Sequence, residues 1–185
     1  MELMDVIKNR RAVREYTDAP VERAEIERLI EAAILAPSAM NLQPWAFAVL
    51  LGSERVEQCA QRAKDWLLAN LLLTSDQPSI RHMLEDPYYS LFHHAPALVL
   101  ILAKSSSPQA TEDCCLAAEN LMLAARDKGL GTCWIGLART WLDLPATKAE
   151  FNFPEQYHVV APIVIGIPKV WPSSHGRNIS ETYWL

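Results

Sequence analysis

Four cations stand within nine residues near the start of the chain, Lys8-Asn9-Arg10-Arg11-Ala12-Val13-Arg14-Glu15-Tyr16, although the protein as a whole is acidic, with 17 Lys and Arg against 22 Asp and Glu and a net charge of −5. Cations packed this closely repel one another and favour a compensating anion. Two plainer roles compete: a solvated basic turn after a short helix, or a helix C-terminus whose dipole welcomes positive charge. A nucleic-acid surface is disfavoured, because no second basic cluster and no overall positive charge supports it. The second stretch with chemical character is Ala36-Pro37-Ser38-Ala39-Met40-Asn41-Leu42-Gln43-Pro44-Trp45. Helix-stop and turn chemistry explains Pro37 but not the whole string through Trp45. A glycine-rich segment, Gly129-Leu130-Gly131-Thr132-Cys133-Trp134-Ile135-Gly136, comes later, followed by Gly166-Ile167-Pro168 and Arg177.

In this order the four blocks resemble the nitroreductase family of flavin enzymes, and they span nearly the whole chain. The resemblance implies one domain over residues 1–185, with an α+β fold in which a mixed, largely antiparallel sheet is flanked by helices, in an intertwined homodimer. It implies FMN as cofactor and NADH or NADPH as donor, hydride passing through flavin N5 to a small nitroaromatic or quinone acceptor by ping-pong kinetics. Arg10, Arg11 and Arg177 then suit the phosphate, since a guanidinium fork matches its oxygens and each charged hydrogen bond contributes about 1.5–3 kcal/mol. Arg14 falls nearer the N1/O2 edge of the flavin, where fixed positive charge favours the anionic reduced ring. Ala12 stands where the family usually has Ser, so one side-chain hydrogen bond is missing while the backbone N–H can still serve. Pro37, Ser38, Met40 and Asn41 look like the segment that reaches the cofactor of the other subunit. Cys133, Trp134, Ile135, Gly136 and Leu137 resemble the strand and turn that lie against the ring, with a backbone N–H facing N5. Gly136 permits close approach there, and Leu137, in place of a small residue, narrows the wall. No side-chain acid or base is implied, because the cofactor carries the difficult chemistry. Two alternatives stay open: a flavin-binding or regulatory protein without NAD(P)H turnover, and another flavin chemistry on the same fold.

The elements that must position these residues follow from pattern. Leu3 to Lys8 suits a short helix, and Glu22 to Ala36 an amphipathic one, with Ile26, Leu29, Ile30, Ala33 and Ile34 on its inner face and Pro37 as its stop. Ala46 to Leu51 reads as a buried strand, Glu54 to Leu73 as a helix, and Ala97 to Leu102 as a strand buried on both faces. A helix is expected from Glu112 to Lys128, ended by Gly129. Thr132 to Leu137 reads as a strand, Leu142 to Phe151 as a short helix broken at Pro145, and His158 to Ile167 as the last strand. Strand runs separated by helices, without a Gly-x-Gly-x-x-Gly fingerprint, indicate α+β in place of a doubly wound nucleotide-binding sheet. Between Thr74 and Pro96 the periodicity is lost, and loops this long are usually functional or mobile. Its Tyr88, Tyr89 and Phe92 are candidates for a substrate-pocket wall, the competing role being a surface excursion whose aromatics pack on the core. His93-His94 lacks metal-ligand spacing, and no metal is expected. The irregular tail carries Trp171, Tyr183 and Trp184, which need a surface to dock on, a partner subunit being one candidate.

Composition sets the outer bounds. At 185 residues, 50% hydrophobic and 21% charged, the chain suits one soluble globular domain. No apolar run reaches the ~18 residues of a membrane span, and early charges argue against a signal peptide. Cys59, Cys114, Cys115 and Cys133 have no metal spacing, so reduced, mostly buried thiols in a cytoplasmic protein are the expectation.

Overall fold

The computed structural model describes residues 1–71, 78–174 and 176–185. Strands β1 (Trp45–Leu51), β2 (Ala97–Ala103), β3 (Gly131–Trp134) and β4 (His158–Gly166) form one sheet in the order β1-β2-β4-β3, every ladder antiparallel. The central pair β2 and β4 is buried almost throughout, which explains their unbroken apolar sequences. Side chains of β2 alternate between two cores: Ala97, Val99 and Ile101 face one, Leu98, Leu100 and Leu102 the other.

Helices α1 (Leu3–Asn9), α2 (Arg23–Ala33), α3 (Ser53–Leu71), α4 (Pro78–Glu85), α5 (Pro108–Asp127), α6 (Arg139–Leu142) and α7 (Pro145–Glu150) complete the described regular structure apart from short 3₁₀ turns. Ile26, Leu29 and Ala33 of α2 join Ala117, Ala118, Leu121 and Ala125 of α5 over one sheet face. Val56, Ala60, Ala63 and Leu67 of α3, with Leu84 of α4 and Trp141 of α6, cover the opposite face. The architecture is therefore helix–sheet–helix, the α+β arrangement expected from the sequence. Among the described residues no helix is long and apolar enough to cross a membrane.

Several boundaries differ for identifiable reasons. The amphipathic helix ends at Ala33, three residues before the expected Ala36, through tightened bonds from Leu35 N to Ala32 O and Ala36 N to Ala33 O. Pro37 has no N–H to continue the ladder and disfavours helical backbone at Ala36. β1 is an edge strand, half-buried in the single chain, and Val49 is 39% exposed. The stretch expected to lack structure contains α4, held by the Arg81–Glu85 pair one turn apart and by buried Leu84. The expected end of the preceding helix at Leu73 and the first part of that loop, 74–77, lie outside the described residues. Pro108 and Pro145 start helices, where a missing N–H costs nothing, so α5 begins earlier than Glu112 and Pro145 opens α7 in place of breaking it. Gly129, at φ +77°, ends α5 as expected: Leu130 N bonds Ala125 O and Gly129 N bonds Arg126 O, closing the two bonds of a Schellman motif.

Candidate functional site

The basic segment is an extra, short strand-like ribbon along the β3 edge. Val13 N donates to Thr132 O at 2.9 Å in a parallel bridge between residues 12 and 132, while Thr17 N donates to Ile167 O and Lys169 N to Glu15 O. Buried Tyr16 closes the ribbon by donating its hydroxyl to Val13 O at 2.7 Å, and burial pushes its ionisation far above the usual phenol range. Two glycines exist for this seam. A Cβ on Gly131 would lie 2.7 Å from Val13 and 2.8 Å from Pro168, and one on Gly166 would meet Pro96 and Tyr16 at 2.7 Å. Gly136 is different, because a Cβ there would meet nothing. Its freedom from a side chain leaves open space outside the protein wall, not a packed interior contact.

The ribbon and the start of the tail enclose a pocket of about 440 Å³ lined by Arg11, Ala12, Arg14, Glu15, Val170 and Pro172. Arg11 donates to Arg10 O at 2.7 Å, and its buried Nε has no hydrogen-bond partner. Arg10 is turned toward Glu119 of α5, at 3.2 Å. This pair is partly exposed, so it is worth about 0–1 kcal/mol and offers little resistance to a competing anion. Arg177 lies farther along the exposed tail, where it donates to Gly176 O.

Arg14 also joins the ribbon electrostatically to the loop before β2. The His93 imidazole is held down at about 4, by burial first and then by the charges of Arg14 and His94. Tyr89 stands edge-on to His93, with ring centroids 6.0 Å apart, and its hydroxyl is pushed upward by burial and by Cys133, with Arg14 acting in the opposite direction. Lys64 fixes this loop from beneath, donating to Asp86 O at 2.7 Å and Tyr89 O at 2.8 Å. Of the three aromatic candidates, half-buried Tyr89 borders the Arg14 side of the site and Tyr88 is 88% exposed. Phe92 is fully buried among core residues. Its ring packs on the core, as the competing role anticipated, and has no surface against which a substrate could rest.

Across β3, the Cys133 side chain and Ile135 are buried in the core and Trp134 is half-buried. Gly136 is exposed and Trp134 and Leu137 reach the surface in part, so the turn itself presents mainly the backbone at Gly136. Burial raises the Cys133 thiol, with Arg14 partly opposing it, leaving a neutral, inert side chain.

The Pro37–Asn41 segment is built elsewhere. Its 3₁₀ turn, Ala39–Asn41, is held by Asp113 near the start of α5: both carboxylate oxygens accept from Ala39 N, at 3.0 and 3.2 Å. Ser38 Oγ accepts from Gln43 N at 3.0 Å. Three residues here adopt left-handed backbone, Met40, Asn41 and Gln43 at φ 51°, 54° and 48°. Such strain persists only where the surroundings impose it and concentrates at functional sites. The turn nevertheless points outward, with Met40 91% exposed. Asp113, the residue that imposes the turn, has no recognisable motif of its own; an acid on the inward face of an apolar helix is the only signal for it. It lies six positions before Glu119, which meets Arg10, and thirteen before Arg126, whose charge interacts with Arg11, so about 9 to 20 Å of α5 run between the turn and the basic block at 1.5 Å per residue.

The residues present fit FMN in kind. The pocket offers guanidinium donors at one end, including a buried Nε without a partner, and the Gly136 surface offers backbone with free space in front of it. Ala12 lines the pocket without supplying a hydroxyl.

Comparison with known proteins bears on the family and the fold. The nitroreductase family model matches residues 7–167. A Methanothermobacter thermautotrophicus protein, provisionally named NADH dehydrogenase/NAD(P)H nitroreductase, is 26% identical over 178 residues, covering 94% of this chain and 81% of its own length. A 5,6-dimethylbenzimidazole synthase from Rhodospirillum rubrum is 29% identical over 179 residues, covering 86% of this chain and 79% of its own. The crystal structure of a Bacteroides fragilis nitroreductase with bound FMN superposes with a TM-score of 0.82 at 27% identity, covering 97% of this chain and 95% of that one.

Proposed function

Because this chain belongs to the nitroreductase family, we propose that it is a cytoplasmic FMN-dependent oxidoreductase using NADH or NADPH to reduce a small nitroaromatic or quinone acceptor by ping-pong kinetics. The observation that carries the reading is the arginine-lined pocket, supported by a backbone wall at Gly136 with open space in front of it. FMN, when bound, supplies hydride acceptance and donation at N5. The chain's own residues hold and tune it. Arg10, Arg11 and Arg177 offer guanidiniums for its phosphate, Arg10 exchanging its exposed contact with Glu119. Arg14 contributes positive charge at the ring edge, in reach of Tyr89 and His93 by charge. Depressed ionisation keeps His93 neutral near pH 7. It therefore adds no second cation beside Arg14, and Tyr89 offers an apolar edge with a protonated hydroxyl to the acceptor.

We also propose that the active unit is a homodimer whose partner contributes Pro37, Ser38, Met40 and Asn41. Support comes from the span of about 9 to 20 Å along α5 between that turn and the basic block in one chain, and from exposed Leu35, Met40 and Leu42 around it, at 80%, 91% and 71%. Tyr183 and Trp184 at the tail are exposed in the single chain as well, at 79% and 93%. Trp171 needs no partner, being docked on its own chain.

The test is anaerobic addition of NADH or NADPH to flavin-loaded protein. Bleaching of the flavin absorbance followed by its return with a nitroaromatic or quinone is expected. Stable colour without bleaching would leave a flavin binder and defeat the reductase reading. The match to a dimethylbenzimidazole synthase keeps a second reading, another flavin chemistry on this fold, distinguishable by the reaction products.

A further inference from the structure

Arg126 occupies the last turn of α5, where a cation suits the helix dipole, yet its surroundings exceed that role. Its guanidinium carbon lies over the Trp171 ring, 3.5 Å from the ring centroid. Trp171 is bracketed in sequence by Val170 and Pro172, two walls of the arginine pocket. The buried Nε atoms of Arg126 and Arg11 both lack hydrogen-bond partners, and among the described residues neither side chain has an acidic partner. Desolvation first, and the Arg11 charge next, pull the Arg126 ionisation down, as expected for two like charges brought together in partial burial. A pair of guanidiniums in this state is stabilised by an anion that both can share.

We propose that Arg126 is a further phosphate-binding residue of this chain: stacked on Trp171, it acts with Arg11 on the phosphomonoester of the bound flavin. It stands behind the pocket wall formed by Val170 and Pro172, through its contact with Trp171 between them. The inference rests on the FMN reading above and adds to it a binding group and its aromatic support. Trp171 does not touch the ligand; it is the aromatic shelf against which the guanidinium is held.

Fluorescence-quenching titration of flavin-free protein with FMN and with riboflavin, which lacks the phosphate, provides the test. Arg126→Gln should weaken FMN by about tenfold or more, the size of one charged hydrogen bond, and leave riboflavin within about twofold. Arg126→Lys should recover part of the loss, because it keeps the charge without the planar fork. If the glutamine chain does not fold, Arg126→Lys alone decides: FMN weaker with riboflavin unchanged supports the role, and FMN affinity equal to wild type overturns it. Equal FMN affinity in wild type and Arg126→Gln likewise overturns it. Failure of the underlying reading looks different, since wild type would then bind FMN no better than riboflavin, or bind neither.

Discussion

Replacing Asp113 should damage a site that it never touches. Its carboxylate, buried at 5% exposure, holds Ala39 N with two contacts of 3.0 and 3.2 Å. Counted as one charge-assisted bond, this is worth about 1.5–3 kcal/mol. The turn it restrains contains three left-handed non-glycine residues, at roughly 1–2 kcal/mol each, so about 3–6 kcal/mol of strain opposes the anchor. With the anchor gone, the turn relaxes and recovers part of that strain. Asp113→Ala should consequently cost overall stability less than the full bond, about 1 kcal/mol in a urea titration. The native turn itself becomes disfavoured by about 1.5–3 kcal/mol, a ten- to hundredfold loss of the competent conformer. If the Ser38–Asn41 turn contacts FMN, its Kd rises by a similar factor, read by fluorescence quenching; Asp113→Asn, which keeps an acceptor but not the charge, should fall between. A folded Asp113→Ala protein with wild-type FMN affinity would refute the reasoning.

Other outcomes follow from the same geometry. Gly131→Ala forces a methyl to within 2.8 Å of Val13 and Pro168; overpacking of about 1–3 kcal/mol should lower Tm and detach the arginine ribbon, whereas an unchanged Tm would mean the seam is loose. His93 contributes stability that is fully present above its unfolded value of 6.5 and is lost as pH falls toward its folded value of about 4. After allowance for its partial exposure this is on the order of 1–2 kcal/mol, so His93→Gln should flatten the stability–pH curve in that window, and an identical curve would show the imidazole to be solvated. Tyr89→Leu should raise acceptor KM while flavin stays bound; loss of flavin from a folded variant would place Tyr89 against the cofactor instead.

The sequence exposed the sheet and its two covering layers well, because apolar runs such as Ala97–Leu102 and the helical stripe of Ile26, Leu29 and Ala33 encode burial directly. Prolines were the weak points of the local reading. The same residue that stops α2 through Pro37 opens helices at Pro78, Pro108 and Pro145, and only the position of the following residues separates the two uses. Within the site, Arg11 and Arg14 emerged because their charge is local in sequence, and Ala12 came with them as their neighbour. Asp113, Arg126 and Lys64 did not, since each acts on a partner far away along the chain and sits in an ordinary helix. Aromatic residues near a loop gave no indication of depth, which is why Phe92 and Tyr88, four positions apart, finish at opposite extremes of exposure.

The seam between residues 12–17 and residues 132 and 167–169 also fixes when the arginine ribbon can form. The segment that carries the pocket's cations is made more than a hundred residues before the backbone groups that pair with it, residue 132 and residues 167–169. Until β3 and the β4 exit exist, residues 10–16 are a charged thread with nothing to register against, and closing so long a loop is entropically paid for only by the finished sheet. Closure of the ribbon accordingly waits for residues 132 and 167–169, and a nascent chain stalled before residue 160 should show a folded-length helix at Arg23–Ala33 while its Arg11 ribbon remains open to protease.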